Sequence, residues 1–276
     1  MYSRAYVEIT NVCNKSCSFC AGHKRAPARM SAEQFRAVAQ QISNVTKFIY
    51  YHVMGEPLTH PQIGEFIRIS SSLGLRSVVT TNGSLLPVRG DELIDSGVYK
   101  VNISVHSFES GSEEEYRKYI DGCLDFADRA SRAGVLCILR LWNNGHDGGR
   151  NEDILQQMRE KFPDGEWKDD ARGARIRHKL HFEYGERFEW PDMDAEDGGS
   201  DLFCYALRDH FAVLCDGTVI PCCLDHDGDL ALGNIFSTNI EQIISSPRAK
   251  AILEGFDNHT AVEELCRKCG YARRFK

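Results

Sequence analysis

The sequence predicts an α/β fold, a parallel sheet with crossover helices curved into a partial (β/α)6 barrel, carrying a small cysteine-rich extension at its C-terminal end. Three observations predict it. Short β-branched and apolar runs alternate with amphipathic helical stretches through the first three-fifths of the chain. The 276 residues, 42% of them hydrophobic, can bury one sizeable core with an appendage. Nine of the eleven cysteines gather at two poles, Cys13, Cys17 and Cys20 at one and Cys204, Cys215, Cys222, Cys223, Cys266 and Cys269 at the other, with Cys123 and Cys137 alone between them.

Strands are expected at 5–10, 47–53, 76–80, 100–105, 135–141 and 179–184, which is enough for six βα units. Between the first two, Ser31 can cap a helix with Gln34 three residues on, and Phe35, Val38, Ala39 and Ile42 repeat at helical spacing. A second helix can start at Pro61 and stop at Gly74, and others are expected over 91–96, 112–133 and 151–162. Regularity fades after Phe162, and the polar run 192–200 (DMDAEDGGS) reads as a linker, dividing a barrel domain (1–191) from the extension (192–276). So short a cysteine-rich segment draws much of its stability from bound metal.

Composition narrows the function classes. A formal net charge of -7 argues against a surface built to trap nucleic acid. No run is long and apolar enough for a signal peptide or a membrane span, so the expectation is a cytoplasmic, soluble protein whose cysteines serve metal or redox chemistry. The segments 171–179 (ARGARIRHK) and 273–276 are locally basic and read as solvated surface, with an anion- or RNA-binding patch as the alternative.

Directly after the first strand stand Cys13, Cys17 and Cys20, spaced C-x3-C-x2-C. Three thiolates are one too few for a [4Fe-4S] cluster and leave one iron open. A structural zinc site is the alternative, although zinc favours paired knuckles and four ligands. The spacing, with Phe19 before the last cysteine, resembles the signature of the radical S-adenosylmethionine (SAM) superfamily. The resemblance implies a cluster whose open iron chelates SAM, with Phe19 near the adenine. Met54-Gly55-Glu56-Pro57 resembles that family's glycine-glutamate motif for the SAM amino group. Asn82 in Thr80-Thr81-Asn82-Gly83, Ser104 and His106 around the fourth strand's end, and Arg140 near the fifth's stand where relatives contact SAM's ribose and carboxylate. Each also has a plain structural reading: Glu56 as a loop carboxylate, Asn82-Gly83 as a turn, His106 as a satisfied strand-end residue and Arg140 as an ion-pair partner.

At the second pole, Cys204, Gly217, Cys222 and the pair Cys266-x2-Cys269 resemble the SPASM auxiliary-cluster domain in its shortened twitch form. Cys204, Cys222, Cys266 and Cys269 are thereby implied as ligands of one auxiliary [4Fe-4S] cluster, with Asp216-Gly217-Thr218 as a hairpin turn; a four-cysteine zinc ribbon is the alternative. Cys215, Cys123 and Cys137 read as core. Cys223 reads as core too, or as a thiol that donates hydrogen to a substrate radical.

The resemblance implies an enzyme that cleaves SAM to a 5′-deoxyadenosyl radical and abstracts hydrogen from an unactivated C-H bond, for oxidation or epimerisation of a small molecule or peptide. It further implies a flavodoxin- or ferredoxin-type electron donor, with no membrane partner. Alternatives are a peptide-modifying maturase that forms thioether or carbon cross-links, an RNA-modifying radical enzyme, and a zinc-stabilised binding protein without activity. Against a leader-dependent maturase, the barrel is expected to begin at the first residues. Trp142, Asn143 and Trp190 are further pocket candidates by position.

Overall fold

The computed structural model describes residues 1–275. Its elements run β1 (Arg4–Val7), α1 (Ala32–Ile42), β2 (Phe48–Tyr51), α2 (Ile63–Ser72), β3 (Arg76–Thr81), α3 (Leu86–Asp95), β4 (Lys100–Ser104), α4 (Glu113–Arg132), β5 (Leu136–Asn144) and α5 (Arg150–Lys161). There follow β6 (Lys168–Asp170), β7 (Gly173–Arg177), β8 (Leu180–Glu186), β9 (His210–Val213), β10 (Thr218–Ile220), β11 (Gly233–Asn234), α6 (Ile240–Ile244), α7 (Pro247–Asp257) and α8 (Glu264–Arg267). One sheet takes them in the order β11-β10-β9-β1-β2-β3-β4-β5-β8-β7-β6. From β9 to β8 every neighbouring pair is parallel.

All six expected strands are present, and β8 is the sixth. It is entered through the antiparallel hairpin β6-β7 rather than directly from a helix. That hairpin holds the basic run: Arg175 pairs with Glu166 and Arg177 with Asp128, so both guanidiniums are occupied outside the barrel. The basic tail ends at Lys276, which lies outside the described residues.

Local signals explain the helices. Ser31 and Gln34 form a reciprocal capping box at α1, and Phe35, Val38, Ala39 and Ile42 are its buried face. Ser112 and Glu115 repeat the device at α4, with three acidic residues in the first turn and two arginines in the last. Alternation in the strands sends Ala5, Val7, Ile49, Val101 and Leu139 outward into the helix-covered core, which leaves the other face of each strand to line the barrel interior. No helix among the described residues is long and apolar enough to cross a membrane.

Candidate functional site

The site grows from loops at the C-terminal ends of β1 to β5. The loop after β1 carries Cys13, Cys17 and Cys20, half-buried to exposed and in no disulfide. It is pinned from beneath by the loop after β2: the Glu56 amide donates to Val12 O at 3.0 Å, and Thr59 Oγ1 does so at 3.1 Å. Gly55 makes the contact possible. Its φ is +78°, and a Cβ there would sit 2.4 Å from Thr10 O.

Glu56 is buried, and its carboxylate accepts from Leu58 N at 3.0 Å, Thr81 Oγ1 at 2.8 Å and Asn82 N at 2.6 Å. Burial raises its pKa against these donors. The side chain therefore buckles the β2 loop to the β3 loop. Among the described residues no donor reaches the carbonyls of Met54 and Gly55, so the motif's free acceptors are backbone atoms.

Asn82 comes to the cysteine loop as expected. Its Nδ2 donates to Asn14 Oδ1 at 3.0 Å and lies 3.8 Å from Cys13 Sγ, while Ser84 Oγ donates to its Oδ1 at 2.6 Å. Cys17 Sγ faces Ser107 O at 3.9 Å, and burial pushes its pKa up to about 11. Phe19 packs on His106 with ring centroids 5.1 Å apart and lies under the Arg187 guanidinium. Trp190 Nε1 donates to Phe19 O at 2.9 Å. His106 Nδ1 lies 2.9 Å from Arg140 O, and burial lowers its pKa to about 4, so the ring is neutral. Ser104 enters through its carbonyl, 3.0 Å from the Tyr119 hydroxyl.

Beside this loop opens a cavity of about 360 Å³ lined in part by Ser18, His106, Glu109, Asn143, Arg150 and Arg187. Asn143 Oδ1 and Arg187 Nε are buried there without partners, as groups awaiting a polar ligand would be. Glu109 closes one wall, accepting from both Ser18 N and Ser18 Oγ at 2.5 Å. Trp142, at the rim, stacks on Arg140, whose guanidinium turns into the barrel interior toward Glu183. Asn14, Ser84, Glu109, Tyr119 and Arg187 escaped the sequence reading, since no local pattern marks residues joined only across loops.

At the second pole, Asp216 and Gly217 turn β9 into β10 as expected; Thr218 N donates to Asp216 Oδ1 at 3.0 Å and Gly217 has φ +85°. Cys204, Cys222, Cys266 and Cys269 pack against the core, and the Cys222 thiol feels the adjoining Cys223 and the other three. Burial raises all four thiol pKa values, that of Cys204 to about 11, so binding of metal displaces protons. Among the described residues no three His, Cys, Asp or Glu side chains gather as ligands of one metal ion. In chemistry the donor sets suit iron-sulfur clusters, three thiols at the first pole leaving one iron open and four at the second matching four irons.

Cys215 is core, its Sγ 3.2 Å from Glu8 O. Cys223 is different. With Tyr6, it packs inside the barrel against a small apolar group of Val53, Met54, Ala212, Leu214 and Ile220.

Comparison with known proteins meets this geometry. The profile of the radical SAM superfamily matches residues 7–163. This chain belongs to the radical SAM superfamily. The profile of the SPASM iron-sulfur cluster-binding domain matches residues 204–270 of the same radical SAM chain. The two families bring a SAM-binding [4Fe-4S] cluster, SAM itself and auxiliary iron-sulfur ligation.

An AdoMet-dependent heme synthase of Methanosarcina barkeri is 30% identical over 114 residues, 40% of this chain and 33% of its own length. A probable GTP 3′,8-cyclase of Aeropyrum pernix is 30% identical over 159 residues, 50% of this chain and 44% of its own. The radical SAM chain thus spans a third to a half of these two relatives' length. Among solved structures, BtrN in complex with AdoMet and 2-DOIA superposes with a TM-score of 0.59 at 18% identity, covering 98% of this chain and 93% of BtrN. Native anSMEcpe with bound AdoMet gives 0.61 at 14%, covering 99% and 88%. At these identities the likeness is one of fold.

Proposed function

We propose that this chain is a radical SAM epimerase acting on a small molecule or peptide held inside the barrel, with Cys223 as hydrogen donor. The cluster and SAM, when bound, supply a 5′-deoxyadenosyl radical that takes hydrogen from an unactivated C-H bond. Cys13, Cys17 and Cys20 hold the first cluster, Gly55 and Asn82 shape the loops around it, and the cavity beside Phe19 and His106 takes the nucleoside. Cys204, Cys222, Cys266 and Cys269 hold the second cluster.

The observation that carries the reading is the placement of Cys223. It is not one of the four proposed ligands, and with Tyr6 it packs against the apolar group inside the barrel. Burial raises its pKa to about 11, which keeps the thiol protonated and able to give a hydrogen atom. A one-electron donor of flavodoxin or ferredoxin type restores the thiol with a proton from water.

Oxidation is the second reading, favoured by an auxiliary pole whose four thiols match four irons. The two differ in mass: product formed in D2O gains one solvent deuterium by epimerisation, whereas oxidation removes two hydrogens.

The founding experiment is anaerobic iron and sulfide analysis with detection of 5′-deoxyadenosine. About eight irons are expected, falling to about four with cleavage lost when Cys13, Cys17 and Cys20 are all changed to alanine. Zinc in place of iron, or cleavage surviving the triple change, overturns the reading. A Cys223→Ala chain that still yields fully inverted product removes the hydrogen donor.

A further inference from the structure

The proposed reaction gives Trp190 no part, yet its indole stands where the two poles meet. No helix or strand forms between the end of β8 at Glu186 and the start of β9 at His210. Residues 187–198 therefore run as a strap whose position is set by what holds its two faces. One face grips the first pole. Trp190 Nε1 donates to Phe19 O, the carbonyl that leads into Cys20, at 2.9 Å, and the Arg187 guanidinium lies 5.4 Å from the Phe19 ring centroid. The indole also packs, with Tyr6 and Cys223, on the small apolar group inside the barrel.

The other face is fastened to the auxiliary pole. Phe188 lies 5.1 Å from the Trp190 ring and meets Tyr271, just past Cys269, edge to face at 5.0 Å between centroids. Gly270, next to Cys269, lacks the Cβ that would come within 2.6 Å of Glu189 Cβ. Arg274 Nη2 donates to the carbonyls of Glu186 at 2.8 Å and Arg187 at 3.1 Å. Gly198 N donates at 3.0 Å to Arg267 O, inside the Cys266-x2-Cys269 turn.

A segment with no ladder of its own stays ordered only while contacts at its faces offset the conformational entropy of holding it. Half of those contacts come from the loop that Cys266 and Cys269 bracket, so loss of metal there loosens the strap and its grip on Phe19. We propose that Trp190 is a positioning residue through which the auxiliary cluster sets the first pole's affinity for SAM. A loaded auxiliary pole holds the strap, the strap holds the Phe19 carbonyl, and the cysteine loop is shaped before SAM arrives. By linkage, bound SAM tightens the auxiliary pole's hold on its cluster in return. The coupling goes beyond the epimerase reading and passes through none of its steps.

The test is calorimetric titration of SAM into the anaerobically reconstituted chain, with iron counted in each preparation so that affinity is read per first-pole cluster. Trp190→Phe keeps a ring and removes the indole donor, and Cys266→Ser with Cys269→Ser removes the auxiliary cluster. Each is expected to weaken SAM binding about fivefold or more. In the chain that already lacks Cys266 and Cys269, Trp190→Phe is expected to change it less than about twofold, because the strap is loose there. Arg274→Gln touches neither cysteine set nor Phe19 and releases the strap from its auxiliary face. It is expected to weaken SAM binding with both clusters in place, and it decides alone should the cysteine pair fail to fold. SAM affinity unchanged by Trp190→Phe or by Arg274→Gln overturns the proposal, as do effects of Trp190→Phe and the cysteine pair that multiply in full. A Trp190 that only packs would lower the iron content and leave the affinity per cluster as it was. Product analysis that removes Cys223 as hydrogen donor sinks the epimerase reading and leaves this coupling standing.

Discussion

Cys222 and Cys223 are neighbours in sequence and in space, Cys222 coupled to the other auxiliary cysteines and Cys223 packed with Tyr6 on the barrel's small apolar group. Gly55 shows how small a change matters at this scale. Its missing side chain lets two loops touch, so Gly55→Ala must strain a left-handed residue and push Thr10 away, at a cost of about 1–3 kcal/mol. The expected result is a lower urea midpoint together with loss of iron at the first pole, about four of eight atoms. His52 gives a pH signature. Burial, then Arg140 and Arg4, lower its pKa from 6.5 to about 3. A base whose folded pKa is depressed binds its proton more readily in the unfolded chain, so its contribution is complete above pH 6.5 and drains as pH falls toward about 3. Between about pH 7.5 and 5.5 the wild-type urea midpoint should therefore fall more than that of His52→Gln. Equal slopes would mean that His52 titrates normally.

Among the elements, one buried ion pair helps to join the two poles. Arg25, beyond the cysteine loop, donates to both oxygens of Glu8 at 2.7 and 2.6 Å and through Nε to His226 O at 2.8 Å. Glu8 also accepts from Met54 N at 3.1 Å and from Cys215 N at 3.3 Å. One carboxylate thus binds the ends of β1, β2 and β9. Arg25→Leu strands that carboxylate and should cost about 3–5 kcal/mol, whereas replacing both partners with apolar residues costs far less; a double-mutant cycle in urea separates the two. Nothing in the sequence marks this pair, or Ser18 with Glu109, because partners 17 and 91 residues apart share no local pattern. The cap of α1 was legible for the opposite reason, being complete within four residues. The β6-β7 hairpin was missed because β6 is charged and exposed throughout and carries no alternation to read, which left β7 without a visible partner.

Across the whole molecule, the spacing of cysteines disclosed both poles, yet only the folded chain shows that the second continues the barrel's own sheet. β9 pairs with β1 in parallel over four residues, and β10 and β11 extend that edge. A chain cut after residue 191 is therefore expected to lose the partner of β1, the Glu8 contact to Cys215 and the Tyr6 contact to Cys223. It should unfold at a lower temperature than the intact chain and hold less iron at its first pole; an unchanged melting temperature would show that the barrel stands by itself. The sheet's two free borders carry a separate consequence. One is β6, three exposed residues all charged, and the other is β11, only two residues long. Neither offers a neighbouring chain the long, flat, uncharged template from which ribbons of stacked molecules grow, so concentrated solutions should resist gelling and fibril formation even with both clusters lost.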